Sequence, residues 1–532
     1  MMYKKYILVF LTTLSVLFFS SLPLYSAVAS KKPDNIRLTW SESPKTTQSI
    51  GWRTDTTVTI GKIQYSPVGQ PFSTLPAPPP EKWHTNIGAI NQFSVTLRNL
   101  QPGTKYQYRV GDGNNWSETF SFTTEKADAD RFEFLVFGDS HEKKPIYQVW
   151  QKTVTQAYQQ NPSAKFTISV GDLIYSGKDY AQWQAWLTAC QDVITYIPSV
   201  PVIGDHEPRG VTSKEECQRP EYFTKLFRTP QNGPEKLKGE AYSFDYGFAH
   251  IVVLNSQLTY EFADPAEKKA MFQAESAWLD ADLAATDKPW KIVVYHDATY
   301  NLSPDRSGVL TKTYFAPIFD KHHVDVVFNG HDHAMARSYF IRNEEFVSSA
   351  TDGTVYFISG RSGDNAKESL SHKVWHPFYY DPQAQTCYLA VTIDQKYLVI
   401  QTRLADGTII DKFEINKEKP ELSTPAVPFG AYQEVRFAAF GNLLTFGNPP
   451  IQNSTGEWFV DIQALATYLN GKFDPLANVF SYNDDEIRLC LTDDMFLDST
   501  KRMVSLSGLT AVGFYCKYHK SMNLITVERW RD

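Results

Sequence analysis

Phe132-Glu133-Phe134-Leu135-Val136-Phe137-Gly138-Asp139-Ser140-His141 is an apolar, strand-forming run that stops at a glycine, a carboxylate and an imidazole. Four other stretches repeat this layout: Lys165–Tyr175 (KFTISVGDLIY), Val200–Glu207 (VPVIGDHE), Trp290–Asp297 (WKIVVYHD) and Val324–His333 (VDVVFNGHDH). A strand that ends on Asp or His aims that side chain at one edge of a sheet. Five such ends within one region predict an α/β fold whose strand ends share a polynuclear metal site.

The chemistry follows from the residue types. Carboxylates and imidazoles are what divalent first-row metals take in open catalytic sites, and one carboxylate can bridge two ions. Two ions about 4 Å apart can generate a nucleophile and clamp both the attacking and the leaving oxygen of a phosphoryl group. The candidate donors are Asp139, His141, Asp172, Asp205, His296, His331 and His333, with Tyr175 three residues after Asp172 and His206 directly after Asp205. Any one of these alone reads equally well as a turn or a surface residue. The ordered set GDxH, GDxxY, GDHE, YH and GHDH is the signal.

Outward from these motifs the chain divides. Its 532 residues exceed what one core normally supports. Residues 33–125 read as an all-β domain, with alternating runs at Ile36–Trp40, Ser49–Trp52, Gln92–Leu97 and Tyr106–Val110. Residues 131–415 alternate strands with helical stretches such as Glu275–Ala284. Residues 416–430, rich in Lys, Glu and Pro, read as a linker, and 431–532 as a small α+β domain with a helix at Trp458–Leu469.

Residues 1–29 read as a signal peptide: Lys4 and Lys5, an apolar stretch from Ile7 to Phe19, then Ala27-Val28-Ala29. Cleavage there removes two lysines and no acid, so the net charge of −7 becomes −9. An acidic chain without a basic tract makes no nonspecific nucleic-acid binder, and none is expected as a partner. The implied location is secreted or at the cell envelope. Of five cysteines none forms a CxxC pair. Cys190 with Cys217 and Cys490 with Cys516 are conceivable bridges in an oxidising compartment, and reduced, buried thiols are the alternative.

The motif order resembles the calcineurin-like metallophosphoesterases and, within them, the purple acid phosphatases. Tyr242–Gly247 (YSFDYG), Ala277–Leu279 (AWL), Pro289–His296 (PWKIVVYH) and Asn329–His333 (NGHDH) extend the resemblance beyond the donors. It implies a four-layer α/β/β/α sandwich and an exported enzyme that hydrolyses phosphate monoesters, nucleotides among them, by attack of a metal-bound hydroxide. A phosphodiesterase, or a catalytically drifted envelope-binding protein, is the alternative. It also implies a cofactor of two metal ions, Fe3+ with Zn2+, Mn2+ or Fe2+, and a small phosphorylated substrate.

Carried over by position, Asp139 and His333 bind the first ion, Asp172 bridges, and His296 and His331 bind the second. Tyr175 matches the tyrosine that binds ferric iron, and His206 the histidine that touches phosphate or protonates the leaving group. Three departures stand out. His141 offers a further ligand to the first ion beside Tyr175. Asp205 replaces an asparagine ligand of the second ion. GHDHAMAR lacks the aromatic and acidic residues usual after the second histidine, keeping only Arg337 as a basic substrate contact. Leu100–Tyr106 (LQPGTKY) resembles the tyrosine corner of fibronectin type III domains. Residues 431–532 resemble the copper-amine-oxidase-like stalk modules of exported proteins, which implies association with the cell wall or envelope rather than copper chemistry.

Overall fold

The computed structural model describes residues 28–128, 130–210, 219–304, 306–367, 369–424, 434–482 and 487–529. The signal peptide read at 1–29 falls almost wholly outside these. Among the described residues no helix is long and apolar enough to cross a membrane.

The N-terminal part of the chain is two four-stranded antiparallel sheets. Trp52, Phe93 and Leu97 of one pack against Ile63, Tyr108 and Phe122 of the other in one core. Tyr106 Oη accepts from the backbone N–H of Gln101 at 2.9 Å, which ties the start of its strand to the preceding turn. These sheets dock on the α/β domain. Trp40 enters its core, and Tyr108 Oη donates to Thr195 O at 2.9 Å.

The metal-site motifs lie in a six-stranded and a seven-stranded sheet. In the first, Phe132–Phe137, Ala164–Ser169 and Ser199–Pro201 run parallel and adjacent. In the second, Ala249–Val253, Trp290–Val294, Val326–Asn329 and Val355–Ser359 do the same. The two sheets face each other: Phe134, Val136, Ile168 and Leu389 meet Ile251, Ile292, Val294 and Phe328. The alternate residues Leu135 and Phe137 point the other way, onto helices Gln148–Gln160 and Tyr180–Ala189. Val252, Val293 and Val327 likewise cover helix Pro265–Ala285. Burial on both faces is why these strands are apolar at most positions rather than only at alternate ones.

Some expected elements shift. The helix expected at Glu275–Ala284 extends over Pro265–Ala285. Asp264 caps it by accepting from Glu267 N at 2.8 Å, with Pro265 in the first turn. The helix expected at Trp458–Leu469 splits. Trp458–Asp461 is a strand, as its aromatic and β-branched run favours, and Asp461 caps helix Ile462–Tyr468 by accepting from Gln463 N and Ala464 N. Among the described residues Cys190, Cys387, Cys490 and Cys516 are free thiols, so the bridge between Cys490 and Cys516 does not form; the pairing of Cys190 with Cys217 involves a residue outside those described. The described part of the expected linker folds back, with Thr424 N donating to Glu414 O at 2.8 Å.

Candidate metal centre

The five motif strands deliver their side chains to the carboxyl ends of both sheets, the edge where open α/β sheets hold ligands. Asp139, His141, Asp172, Asp205 and His206 come from the six-stranded sheet, and His296, His331 and His333 from the seven-stranded one. The chain turns sharply at each end. Asp139 (φ 27°), Asp172 (φ 52°) and His331 (φ 70°) all adopt left-handed backbone. Such strain in a non-glycine residue persists only where surrounding structure holds it, and it concentrates at functional sites.

Two preceding glycines make room. At Gly171 (φ 89°) a Cβ would lie 2.5 Å from His296 Nδ1. At Gly204 it would overlap the Asp172 carboxylate. The glycine in these motifs therefore permits close approach of the donors.

Two donor groups result. Asp139, His141, Asp172 and His333 each offer one ligand atom, all within 4.8 Å of one another. Asp172, Asp205, His296 and His331 form a second such group, so Asp172 belongs to both. In the first, Asp139 Oδ1 lies 3.2 Å from His333 Nε2 and Asp172 Oδ2 lies 3.9 Å from His141 Nδ1. In the second, His296 Nε2 is 3.3 Å from Asp172 Oδ1 and 3.4 Å from Asp205 Oδ1, and His331 Nδ1 is 3.1 Å from Asp205 Oδ1.

The imidazoles are aimed by backbone. His296 Nδ1 pairs with Val170 O at 2.8 Å, and His333 Nδ1 pairs with Asn365 O. Each ring thus turns Nε2 inward. Asp139 Oδ1, His141 Nδ1, Asp172 Oδ2 and His333 Nε2 are buried with no hydrogen-bond partner. Four orphaned buried atoms converging on one point are what a cation position needs and what a self-satisfied core avoids. The electrostatics agree. Burial pushes Asp139 up to about 7, with the Asp172 charge adding to it, and burial drives His141 and His333 far below the usual imidazole range. A cation among them would reverse the Asp139 shift. Burial also works against Asp172 and Asp205, yet the surrounding histidines hold both well below the carboxylate range.

A further carboxylate sits behind the donors. Glu207 accepts from Asp172 N at 3.0 Å, Leu173 N at 2.8 Å and Gly204 N at 2.6 Å, so it ties two strand ends together. Burial and the Asp172 charge push it up to about 8, against the pull of those N–H donors.

The remaining candidates separate. His206 lies with Nε2 3.7 Å from Asp172 Oδ2 and Nδ1 on Tyr175 O at 2.6 Å, and it lines the cleft over the donors. Tyr175 is on the cleft wall, its ring 5.1 Å from that of His206. Arg337 is not brought to the site. It shares a strand face with core residue Met335, so its side chain enters between the sheets, donates to Asp411 at 2.9 Å and packs over Phe413. Arg361 is likewise occupied, by Gly363 O and Gln383 O. Arg209 grips the outer oxygen of Asp205. Asp332 accepts from Arg306 and Leu302 N.

The cleft of about 770 Å³ is also lined by Lys143, Tyr260, Arg306, Asn365 and Lys367. The motif reading did not single these out. The signal for two of them was present: Val355–Ser359 is a sixth apolar strand, ending in a Gly-Arg-Ser-Gly turn, and Asn365 and Lys367 come after it.

Comparison with known proteins places this geometry. Residues 33–124 match the family profile described as "Purple acid Phosphatase, N-terminal domain", and residues 132–335 match "Calcineurin-like phosphoesterase". A stretch of 260 residues is 29% identical to a purple acid phosphatase of Glycine max, spanning 47% of this chain and 53% of the relative. Another 260-residue match is 28% identical to the Fe(3+)-Zn(2+) purple acid phosphatase 12 of Arabidopsis thaliana, over 46% of this chain and 52% of that one. A purple acid phosphatase from yellow lupin (Lupinus luteus) seeds superposes with a TM-score of 0.61 at 17% identity, over 76% of this chain and 78% of its own, a likeness of fold. The chain spans about half the length of the curated relatives it matches.

Proposed function

We propose that this protein is a dinuclear-metal phosphoesterase that hydrolyses phosphate monoesters. The observation that supports it most is the pair of four-donor groups sharing one carboxylate, Asp172, at the floor of a cationic cleft. Two ions bound there would supply a nucleophile near neutral pH and Lewis acidity toward the phosphoryl oxygens.

The chain's own residues do the rest. Asp172 sets the spacing of the two positions. His141 occupies the first donor group, which is already fourfold without a phenol, so we assign that position to Asp139, His141, Asp172 and His333 and leave Tyr175 to the wall. His206 holds Nδ1 on a backbone carbonyl and presents Nε2 to the cleft, the geometry for protonating a leaving alkoxide. Lys143, Arg306 and Lys367 at the rim attract and orient a phosphate anion. Export through the segment at 1–29, and envelope association through residues 431–532, complete the proposal as the sequence suggests them.

The test is hydrolysis of p-nitrophenyl phosphate and bis-p-nitrophenyl phosphate by metal-loaded protein from about pH 4 to 9. Turnover of the monoester above the diester is expected. Turnover of neither would overturn the proposal in favour of a binding protein, and preference for the diester would overturn the substrate class.

A further inference from the structure

The C-terminal strands touch the catalytic domain beside the cleft. Glu528, on the strand Leu524–Arg529, forms a buried ion pair with Lys312, and its other oxygen accepts from Gly308 N at 3.4 Å. Lys312 also lies over the rings of Tyr300 and Trp375. Tyr468 Oη donates to Pro304 O at 3.0 Å. Ala438, Met522 and Leu524 belong to the same apolar core as Trp375 and Phe346. A buried charge pair crossing an interface, with apolar core on the same side, marks fixed packing rather than a tether.

What these contacts hold is the loop after the strand bearing His296. Arg306, in that loop, lines the cleft and donates to both His331 O and Asp332, while Leu302 N donates to Asp332 Oδ2 at 2.5 Å. Asp332 stands between two donor histidines. One set of contacts therefore runs from the C-terminal domain through Pro304 and Gly308 to Leu302, Arg306 and the cleft.

We propose that the C-terminal domain is a working part of the catalytic site: Glu528 and Tyr468 are positioning residues that fix Arg306 at the cleft rim and thereby set affinity for the phosphate of the substrate. The proposal rests on the phosphoesterase reading. Arg306 is held on one side by Asp332 and on the other by a loop whose free movement would carry it out of register, and misplacement of a charged contact by about 1 Å is enough to cost affinity.

The test uses the full-length metal-loaded protein. Glu528→Gln and Tyr468→Phe are compared with wild type for hydrogen exchange across 298–312 and for KM and kcat on p-nitrophenyl phosphate. Exchange should rise about tenfold in 302–308 and stay unchanged in the strand Trp290–Val294. KM should rise about fivefold to tenfold in Glu528→Gln with kcat within about twofold, and this effect should vanish in an Arg306→Ala background, because both changes act through one group. Unchanged exchange in 302–308, or effects on KM that multiply across the double variant, would overturn the proposal. Tyr468→Phe decides alone if Glu528→Gln does not fold. A wild type that turns over no phosphoester sinks the phosphoesterase reading instead, while the exchange result still reports on the loop.

Discussion

Replacing Glu207 by glutamine tests whether the donors are held by what lies behind them. Glu207 Oε2 accepts from Asp172 N and Gly204 N, and Oε1 from Leu173 N. Glutamine keeps one oxygen and turns the other into an amide donor. With its oxygen in the better place it retains two bonds, loses the one to Leu173, and sets N–H against a buried N–H. Above about pH 8, where Glu207 is ionised, a lost bond to a charged acceptor plus an unsatisfied buried donor amounts to about 3 kcal/mol of stability. Because Asp172 lies in both donor groups, its displacement should weaken both ions, by about 10- to 100-fold in affinity as for other outer supports of metal ligands. Urea unfolding of the metal-free protein reads the first effect, and competition with a chelator, with elemental analysis of the product, reads the second. Stability lost without any change in metal affinity would refute the positioning argument and leave Glu207 as a packing residue only.

Metal stoichiometry separates the donors: Asp172→Ala should bind neither ion tightly, whereas His331→Ala should lose one and keep the other, as elemental analysis will show. If His141 rather than Tyr175 completes the first position, Tyr175→Phe retains two ions and leaves the visible spectrum of iron-loaded protein unchanged, while His141→Ala loses one. A separate prediction concerns pH. His250 lies 2.8 Å from Asp245 and 2.9 Å from Asp282; burial lowers its pKa, but the two carboxylates prevail and raise it to about 9. A folded pKa above the unfolded value of about 6.5 means a contribution fully present below pH 6.5 and lost as pH rises through about 9. His250→Gln should therefore destabilise by up to about 3 kcal/mol at pH 6 and by much less at about pH 9.5, measured by urea unfolding at each pH.

The strand ends were legible because burial on both faces writes a predominantly apolar run, and the donors sit just after it. Asp139, Asp172, Asp205, His296, His331 and His333 could be read this way, and the structure brings them within reach of one another. Arg337 was misread because spacing along a motif says nothing about which face of a strand a residue occupies; two positions after core residue Met335, it must point between the sheets. Lys367 and Arg306 reach the cleft from loops with no period of their own, where only the tertiary fold determines what meets. The residues at 458–469 read as one helix because apolar spacing over a dozen positions fits both a helix and a strand that feeds one. The cap at Asp461 decides between them, and it is a local side-chain contact.

The aspartate at 205 carries the same lesson at the level of charge. Read from sequence, it adds a full negative charge to the second donor group, which should tighten the second ion and blunt its pull on an anion. In the fold, Asp205 presents Oδ1 to His296 and His331, while Arg209, four residues on, takes Oδ2. Both side chains are largely shielded from water, at 9% and 14% exposure, so solvent screens this pair only partly. The carboxylate stays ionised, but the pair as a whole carries no net charge. If Asp205 holds the second ion, the pairing with Arg209 offsets part of the charge it adds relative to a neutral oxygen ligand, and Arg209, whose guanidinium also lies 3.1 Å from His206 Nδ1, is engaged within the site.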